Sequence, residues 1–183
     1  MNTWISSDLH FSHRNIAKFC PKTRGHWDTR NDPETMNRDM IQMWNALVAP
    51  EDTVYILGDL SFSSANETVK ILKQLTGRKI LISGNHDRKN LNDPAFRACF
   101  AEIHDYLRLV YNGTVIIMSH FPFLEWDQMH RGSLHFFGHL HGNKTNQEQY
   151  RCMDVGFDAT GKIVMLMEDA INLIKNNEIK THH

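Results

Sequence analysis

Apolar positions fall into two rhythms along this chain, short continuous runs and longer segments of helical period. Trp4-Ile5-Ser6-Ser7 reads as a short strand running into Asp8. Thr53-Val54-Tyr55-Ile56-Leu57 is a continuous apolar run, as expected of a buried parallel strand, and ends at Gly58-Asp59. Lys79-Ile80-Leu81-Ile82 behaves alike and ends at Gly84-Asn85-His86-Asp87. Helical signals lie between these runs. Asp32-Pro33-Glu34 supplies a cap and a proline at the first helical position. Met36, Met40, Met43, Trp44 and Leu47 then share one helical face, which predicts a core contact. Ser64 with Glu67 forms a capping box for a helix to about residue 75, and Asp93-Pro94 opens a short one. Residues 20–32 read as a loop, because Pro21, Gly25 and several charges break any period.

Strands dominate the second half. Residues 107–110 and 114–118 flank Asn112-Gly113, a strong hairpin signal. Leu134-His135-Phe136-Phe137 leads into Gly138-His139-Leu140-His141. Strands near 150–155 and 163–167 precede a last helix over about 168–176. Strands alternating with helices, followed mostly by strands, predict an α/β layered fold, with residues 1–183 as one domain.

Composition narrows the function. With a net charge of −1, no global field draws the chain to nucleic acid. No apolar run approaches the roughly 20 residues that span a membrane. The start, Met1-Asn2-Thr3-Trp4, has no basic segment followed by an apolar one, so no signal peptide is expected. Cys20, Cys99 and Cys152 are odd in number and far apart, which predicts reduced thiols and a cytoplasmic location. Twelve histidines in 183 residues call for a chemical reason.

That reason lies at the strand ends. Asp8-Leu9-His10, Gly58-Asp59, Gly84-Asn85-His86-Asp87, Ser119-His120 and Gly138-His139-Leu140-His141 each follow an apolar strand. Carboxyl ends of strands in layered α/β proteins converge on one crevice. Asp-x-His and His-x-His at a strand end are expected to aim residues i and i+2 to one side. Asp8, His10, Asp59, Asn85, His120, His139 and His141 are too many donors for one tetrahedral site and suit two ions sharing a carboxylate. Imidazole and carboxylate fit Mn, Fe or Zn, and no cysteine cluster offers a thiolate site.

The five blocks, in order and spanning roughly three quarters of the chain, resemble the calcineurin-like metallophosphoesterases. Asp8-Leu9-His10-Phe11-Ser12-His13 and Asp154-Val155-Gly156 resemble the small uncapped branch found in bacteria and phages. The resemblance implies a β-sandwich flanked by helices, with a dinuclear metal site at one end. It implies that Asp8, His10 and His141 bind a first divalent ion, that Asp59 bridges, and that Asn85, His120 and His139 bind a second. Manganese is expected, with iron, zinc or nickel as alternatives. His86 would be catalytic beside the substrate oxygen, and Asp87 would orient it by hydrogen bonding. A hydroxide between the ions would attack phosphorus, with phosphodiesters favoured. Phosphomonoester or nucleotide pyrophosphate hydrolysis is the alternative, and a non-catalytic scaffold the rival from another class. The chain departs from the pattern at Leu60-Ser61-Phe62, where many relatives carry a further acid, and at Ser119, where others have glycine.

Substrate-binding candidates are Arg88, Arg14, Asn15 and His13, with Arg24 and Arg30 behind them. The substrate would be a phosphate ester, with nucleotides or a nucleic-acid strand among those an open cleft admits. Phe121, Pro122, Phe123 and Trp126 line the mouth or pack the core. His26 is a lesser cleft candidate; His104, His130 and His135 carry no motif and read as structural or exposed. His182 and His183 are set aside.

Overall fold

The computed structural model describes residues 1–181; His182 and His183 lie outside it. Nine strands are described: β1 (Thr3–Ser6), β2 (Thr53–Ile56), β3 (Arg78–Ile82), β4 (Glu102–His104), β5 (Tyr106–Tyr111), β6 (Thr114–Ser119), β7 (Leu134–Phe137), β8 (Cys152–Asp154) and β9 (Met165–Leu166). One sheet runs β4-β3-β2-β1-β9, parallel except for β9; the other runs β5-β6-β7-β8, parallel beyond the β5–β6 hairpin. The helices are α1 (Ile16–Phe19), α2 (Pro21–Arg24), α3 (Pro33–Asn45), α4 (Ala65–Leu72), α5 (Pro94–Arg97), α6 (Phe157–Thr160) and α7 (Met167–Ile174).

Alternation along the strands builds the layers. Ile5, Leu57, Ile80 and Ile82 from the first sheet meet Ile116, Met118, Leu134 and Phe136 from the second in one buried layer. Trp4, Val54, Ile56 and Leu81 face the other way, against Met36, Met40 and Trp44 of α3 and Val69, Ile71 and Leu72 of α4. A smaller cluster of Ile117, Phe137 and Cys152 with Trp126 and Met129 covers the outside of the second sheet. Strands buried on both faces explain the continuous apolar runs. The arrangement is a β-sandwich flanked by helices, as the resemblance implies.

Local signals act where expected. The Asp32 carboxylate accepts from the Thr35 amide at 3.0 Å, and the Ser64 hydroxyl accepts from the Glu67 amide at 3.4 Å. Asn112 (φ 48°) and Gly113 (φ 80°) both occupy the left-handed region, as a tight two-residue hairpin turn requires. Four expectations change. Met43 is 38% exposed and Leu47, beyond the end of α3, is 50% exposed, so the buried stripe is Met36, Met40 and Trp44. Residues 20–32 are not all loop, since α2 is one turn within them. β9 has only two residues, and α7 ends at Ile174. β4 was not predicted, because a three-residue edge strand offers no apolar run.

Candidate metal centre

The carboxyl ends of β1, β2, β3, β6 and β7 open on one side, and the five polar blocks meet there. The His139 amide donates to Asp8 Oδ2 at 2.8 Å, joining residues 131 apart in sequence. The donors leave the strands at once. Asp8, His10, Asp59, His139 and His141 all have φ between 50° and 72°. Pleat geometry therefore does not aim the i, i+2 pairs, contrary to the sequence expectation. Left-handed turns aim them, a conformation that Asp and His enter more readily than most non-glycine residues. The turns pack closely: a Cβ on Gly84 would collide with Asp59 Oδ1, and one on Gly138 with Asp8 Oδ2.

Asp8, His10 and His141 bring one ligand atom each within 4.8 Å of one another. His10 Nε2 and His141 Nε2 lie 3.1 Å apart and face Asp8 Oδ1 at 3.6 and 3.9 Å. Asp8 Oδ1 is buried without a hydrogen-bond partner. An orphaned buried carboxylate oxygen facing two imidazole nitrogens is the environment a cation would satisfy. His141 is oriented from behind, its Nδ1 lying 2.9 Å from Asp158 Oδ2. Asp158 is held in turn by Arg24, through Nε to Oδ1 at 2.8 Å and Nη2 to Oδ2 at 3.0 Å. Arg24 also donates to the carbonyls of Asp8 and Leu9, both at 2.8 Å, and is 0% exposed. It is thus part of the scaffold beneath the site, not a phosphate contact. Cys20, His141 and Asp158 also lie close together, but Asp158 already engages that His141 nitrogen and burial pushes the Cys20 thiol up to about 12.

Asp59, His120 and His139 form the second group. His120 Nδ1 is 2.7 Å from the Leu57 carbonyl, which leaves Nε2 toward Asn85 Oδ1 at 3.1 Å and Asp59 Oδ1 at 3.4 Å. The other Asp59 oxygen, Oδ2, lies 3.9 Å from His10 Nε2 in the first group. Burial tends to raise the Asp59 carboxyl, but the His120 hydrogen bond and charge prevail and hold it at about 2. Burial likewise disfavours charged His120 and His141, yet Asp59 and Asp158 draw both above the ordinary histidine value. The same carboxylates that favour a proton on these imidazoles would favour a bound cation in its place.

His86 sits at the lip, its side chain 42% exposed and Nε2 3.8 Å from Asp59 Oδ2. Asp87 does not hydrogen-bond to it. Its carboxylate accepts from the amides of Asp59 and Gly84 at 2.9 Å and of Leu60 at 3.0 Å, so it ties two donor loops together instead. His13 accepts from the Asn15 amide at Nδ1 (3.1 Å), leaving Nε2 for a hydrogen, and its ring lines the metal cavity of about 280 Å³. Asn15 is not among the residues lining that cavity. Arg14 donates to the Arg30 carbonyl and lines a groove of about 770 Å³ between α3 and α4. Arg88 lines a cavity of about 430 Å³ beside His120, with Phe121 and Phe123. Phe121 packs edge-on against His139, whereas Trp126 is buried. Buried His135 stacks on Phe123, and exposed His26 packs on Trp27.

Asp154 and Asp158 were not among the sequence candidates. Asp154 accepts from the amides of Gly142 and Gly156 and so fastens the turn after His141; burial pushes its carboxyl up to about 6.

A layered α/β fold with Asp, Asn and His donors gathered at its strand ends defines a protein of the metallophosphoesterase type. Residues 1–143 match the calcineurin-like phosphoesterase family, and the chain belongs to that family. Membership brings metal-dependent hydrolysis of phosphate esters, with divalent ions as cofactors. The chain is 28% identical to the Gene 66 protein of Mycobacterium phage L5, covering 97% of both chains. It is 31% identical to the uncharacterized protein MJ1445 of Methanocaldococcus jannaschii, over 79% of this chain and 72% of that one. Among solved structures, the protein of unknown function AQ665 from Aquifex aeolicus superposes with a TM-score of 0.72 at 26% identity, covering 94% of this chain and 99% of that one. No helix among the described residues is long and apolar enough to cross a membrane.

Proposed function

We propose that this chain is a two-metal phosphoesterase that favours phosphodiesters. The observation that carries the reading is Asp59, whose two oxygens face different donor groups, Oδ1 toward His120 and Oδ2 toward His10. Asp8, His10 and His141 hold one ion in this reading, Asn85, His120 and His139 the other, and Asp59 both. Manganese is the proposed ion; iron, zinc and nickel also suit imidazole and carboxylate. A bound pair supplies hydroxide near neutral pH and neutralises charge developing on the phosphoryl group.

The chain's own groups do the rest. His86 protonates the leaving oxygen from the lip of the cavity. His13 offers its Nε2 hydrogen to a phosphoryl oxygen. Asp87 keeps the Asp59 and Gly84 loops in register. Neither Arg nor Lys is among the residues lining the metal cavity, which suits the single charge of a diester better than the double charge of a monoester. Arg88 and Arg14 lie further out, where they meet the remainder of a larger substrate such as a nucleotide or a strand. Arg88 beside His120 also favours a second reading, pyrophosphate-bond hydrolysis, with the guanidinium on the adjoining phosphate. Three free, widely separated cysteines fit a cytoplasmic setting.

Parallel turnover of bis-para-nitrophenyl phosphate and para-nitrophenyl phosphate by manganese-loaded protein tests the preference. Faster diester hydrolysis is expected, and faster monoester hydrolysis would overturn it. His86→Ala should keep its metal while the rate falls about 10²–10⁴-fold. Loss of metal would instead make His86 a ligand.

A further inference from the structure

We infer that Phe62 is a positioning residue that holds the His86 imidazole at the reacting bond; this rests on the role given to His86 above. Among the described residues the His86 ring has no hydrogen-bond partner. Its nearest charged group is Asp59 Oδ2, at 3.8 Å. Asp87, the neighbour expected to orient it, spends its carboxylate on three backbone amides. The ring nearest to His86 is Phe62, with centroids 4.4 Å apart and planes inclined by 37°, and His10 meets His86 edge-on at 5.8 Å. The same phenyl ring meets His13 at 3.8 Å and 34°, and His10 at 5.2 Å. Phe62 therefore links a metal-site histidine, the cavity-lining His13 and His86 in one aromatic contact.

The backbone that carries the ring is pinned. The Phe62 amide donates to the Phe11 carbonyl at 2.9 Å, and Ser61 bridges Phe11 in parallel just before it. Its place is not explained by the core. Phe62 is 43% exposed and belongs to none of the buried apolar clusters of the described residues. A large apolar side chain kept half in water, against three imidazoles, has its packing function there. A half-exposed imidazole without a hydrogen bond would otherwise sample several rotamers, and a proton donor must be within hydrogen-bond reach of the leaving oxygen when the bond breaks. Phe62 restricts that freedom by tilted ring contact, leaving both ring nitrogens available for proton transfer.

The test uses manganese-loaded full-length protein and a series of aryl methyl phosphodiesters running from 4-nitrophenol to phenol as leaving group. Protonation matters most for the poorest leaving group. Phe62→Ala should lose about tenfold or more on the phenyl ester but under about threefold on the 4-nitrophenyl ester, with bound metal unchanged. Phe62→Leu, which keeps apolar bulk without a flat ring, should resemble Phe62→Ala, and Phe62→Tyr should recover to within about threefold. Adding Phe62→Ala to His86→Ala should cost less than about twofold more, because the two act as one unit. A loss uniform across the series, or losses that add in the double variant, would overturn the inference. An independent readout is the His86 ring-proton resonances of the zinc-loaded protein, assigned by their loss in His86→Ala. The Phe62 ring current should shift them, and Phe62→Ala should abolish the shift; identical positions in both proteins would overturn the inference. Should the wild type hydrolyse none of the esters, the phosphoesterase reading fails, while the resonances still decide whether Phe62 holds His86.

Discussion

The two donor groups are built from different materials. Behind the first lies a relay of side chains, Arg24 to Asp158 to His141, buried and charged. Behind the second, backbone fixes the ligand ring: the Leu57 carbonyl orients His120, while the single Asp87 carboxylate gathers the amides of Asp59, Leu60 and Gly84. Side-chain relays can be cut by a single conservative substitution, whereas a carbonyl cannot be removed by mutation and fails only when the chain path is disturbed. The first group should therefore be the one sensitive to remote charge changes, whereas crowding between loops reaches both, through Gly84 at Asp59 and Gly138 at Asp8.

Arg24→Met should have the largest effect on stability. It leaves the buried Asp158 carboxylate without its guanidinium partner, which costs about 3–5 kcal/mol, read as a lower urea midpoint. Asp158→Asn should come next. An amide lacks the charge that holds a proton on His141 Nδ1 and leaves Nε2 free for metal, and metal titration should find one site weakened about 10–100-fold and the other nearly unchanged. Equal weakening of both sites would erase the distinction between the groups. Gly84→Ala should do the reverse, because its Cβ would collide with Asp59 Oδ1 and the Asp59 amide. The loops must part, at about 1–3 kcal/mol, with the Asp59 and His120 side losing metal first.

An effect absent at neutral pH and confined to acid concerns His135, which belongs to neither group. Burial holds it down at about 4, against 6.5 for a free histidine. The unfolded chain gains a proton below 6.5, and the folded chain only near 4. Stability should therefore fall as pH drops through that window, by up to about 3 kcal/mol, and flatten below it. Unfolding of metal-free wild type and His135→Gln, followed from pH 7 to 4, isolates this contribution. Parallel slopes would remove it.

The same contrast separates what the sequence could reveal from what it could not. Donor blocks after apolar runs were legible because parallel strands bring their carboxyl ends to one edge, whatever the loops between them do. Asp32, Ser64 and Asn112-Gly113 were legible because caps and tight turns are decided within four residues. The aiming of Asp8, His10, His139 and His141 was misread as pleat geometry, since left-handed backbone leaves no mark in residue type unless glycine occupies it. Arg24 and Asp158 were beyond reach for another reason. An arginine in a charged loop reads as a surface group or a phosphate contact, and only a partner 134 residues away makes it interior. Asp87 was recognised as part of the site but given the wrong partner, because chain adjacency to His86 says nothing about which amides its carboxylate meets.

Manganese stoichiometry after equilibrium dialysis, compared between wild type and Asp59→Asn, tests the shared carboxylate most directly. Two ions per chain are expected in the wild type, and fewer than about one in the variant, with turnover abolished. A single ion in the wild type, or two tightly held ions in Asp59→Asn, would contradict it.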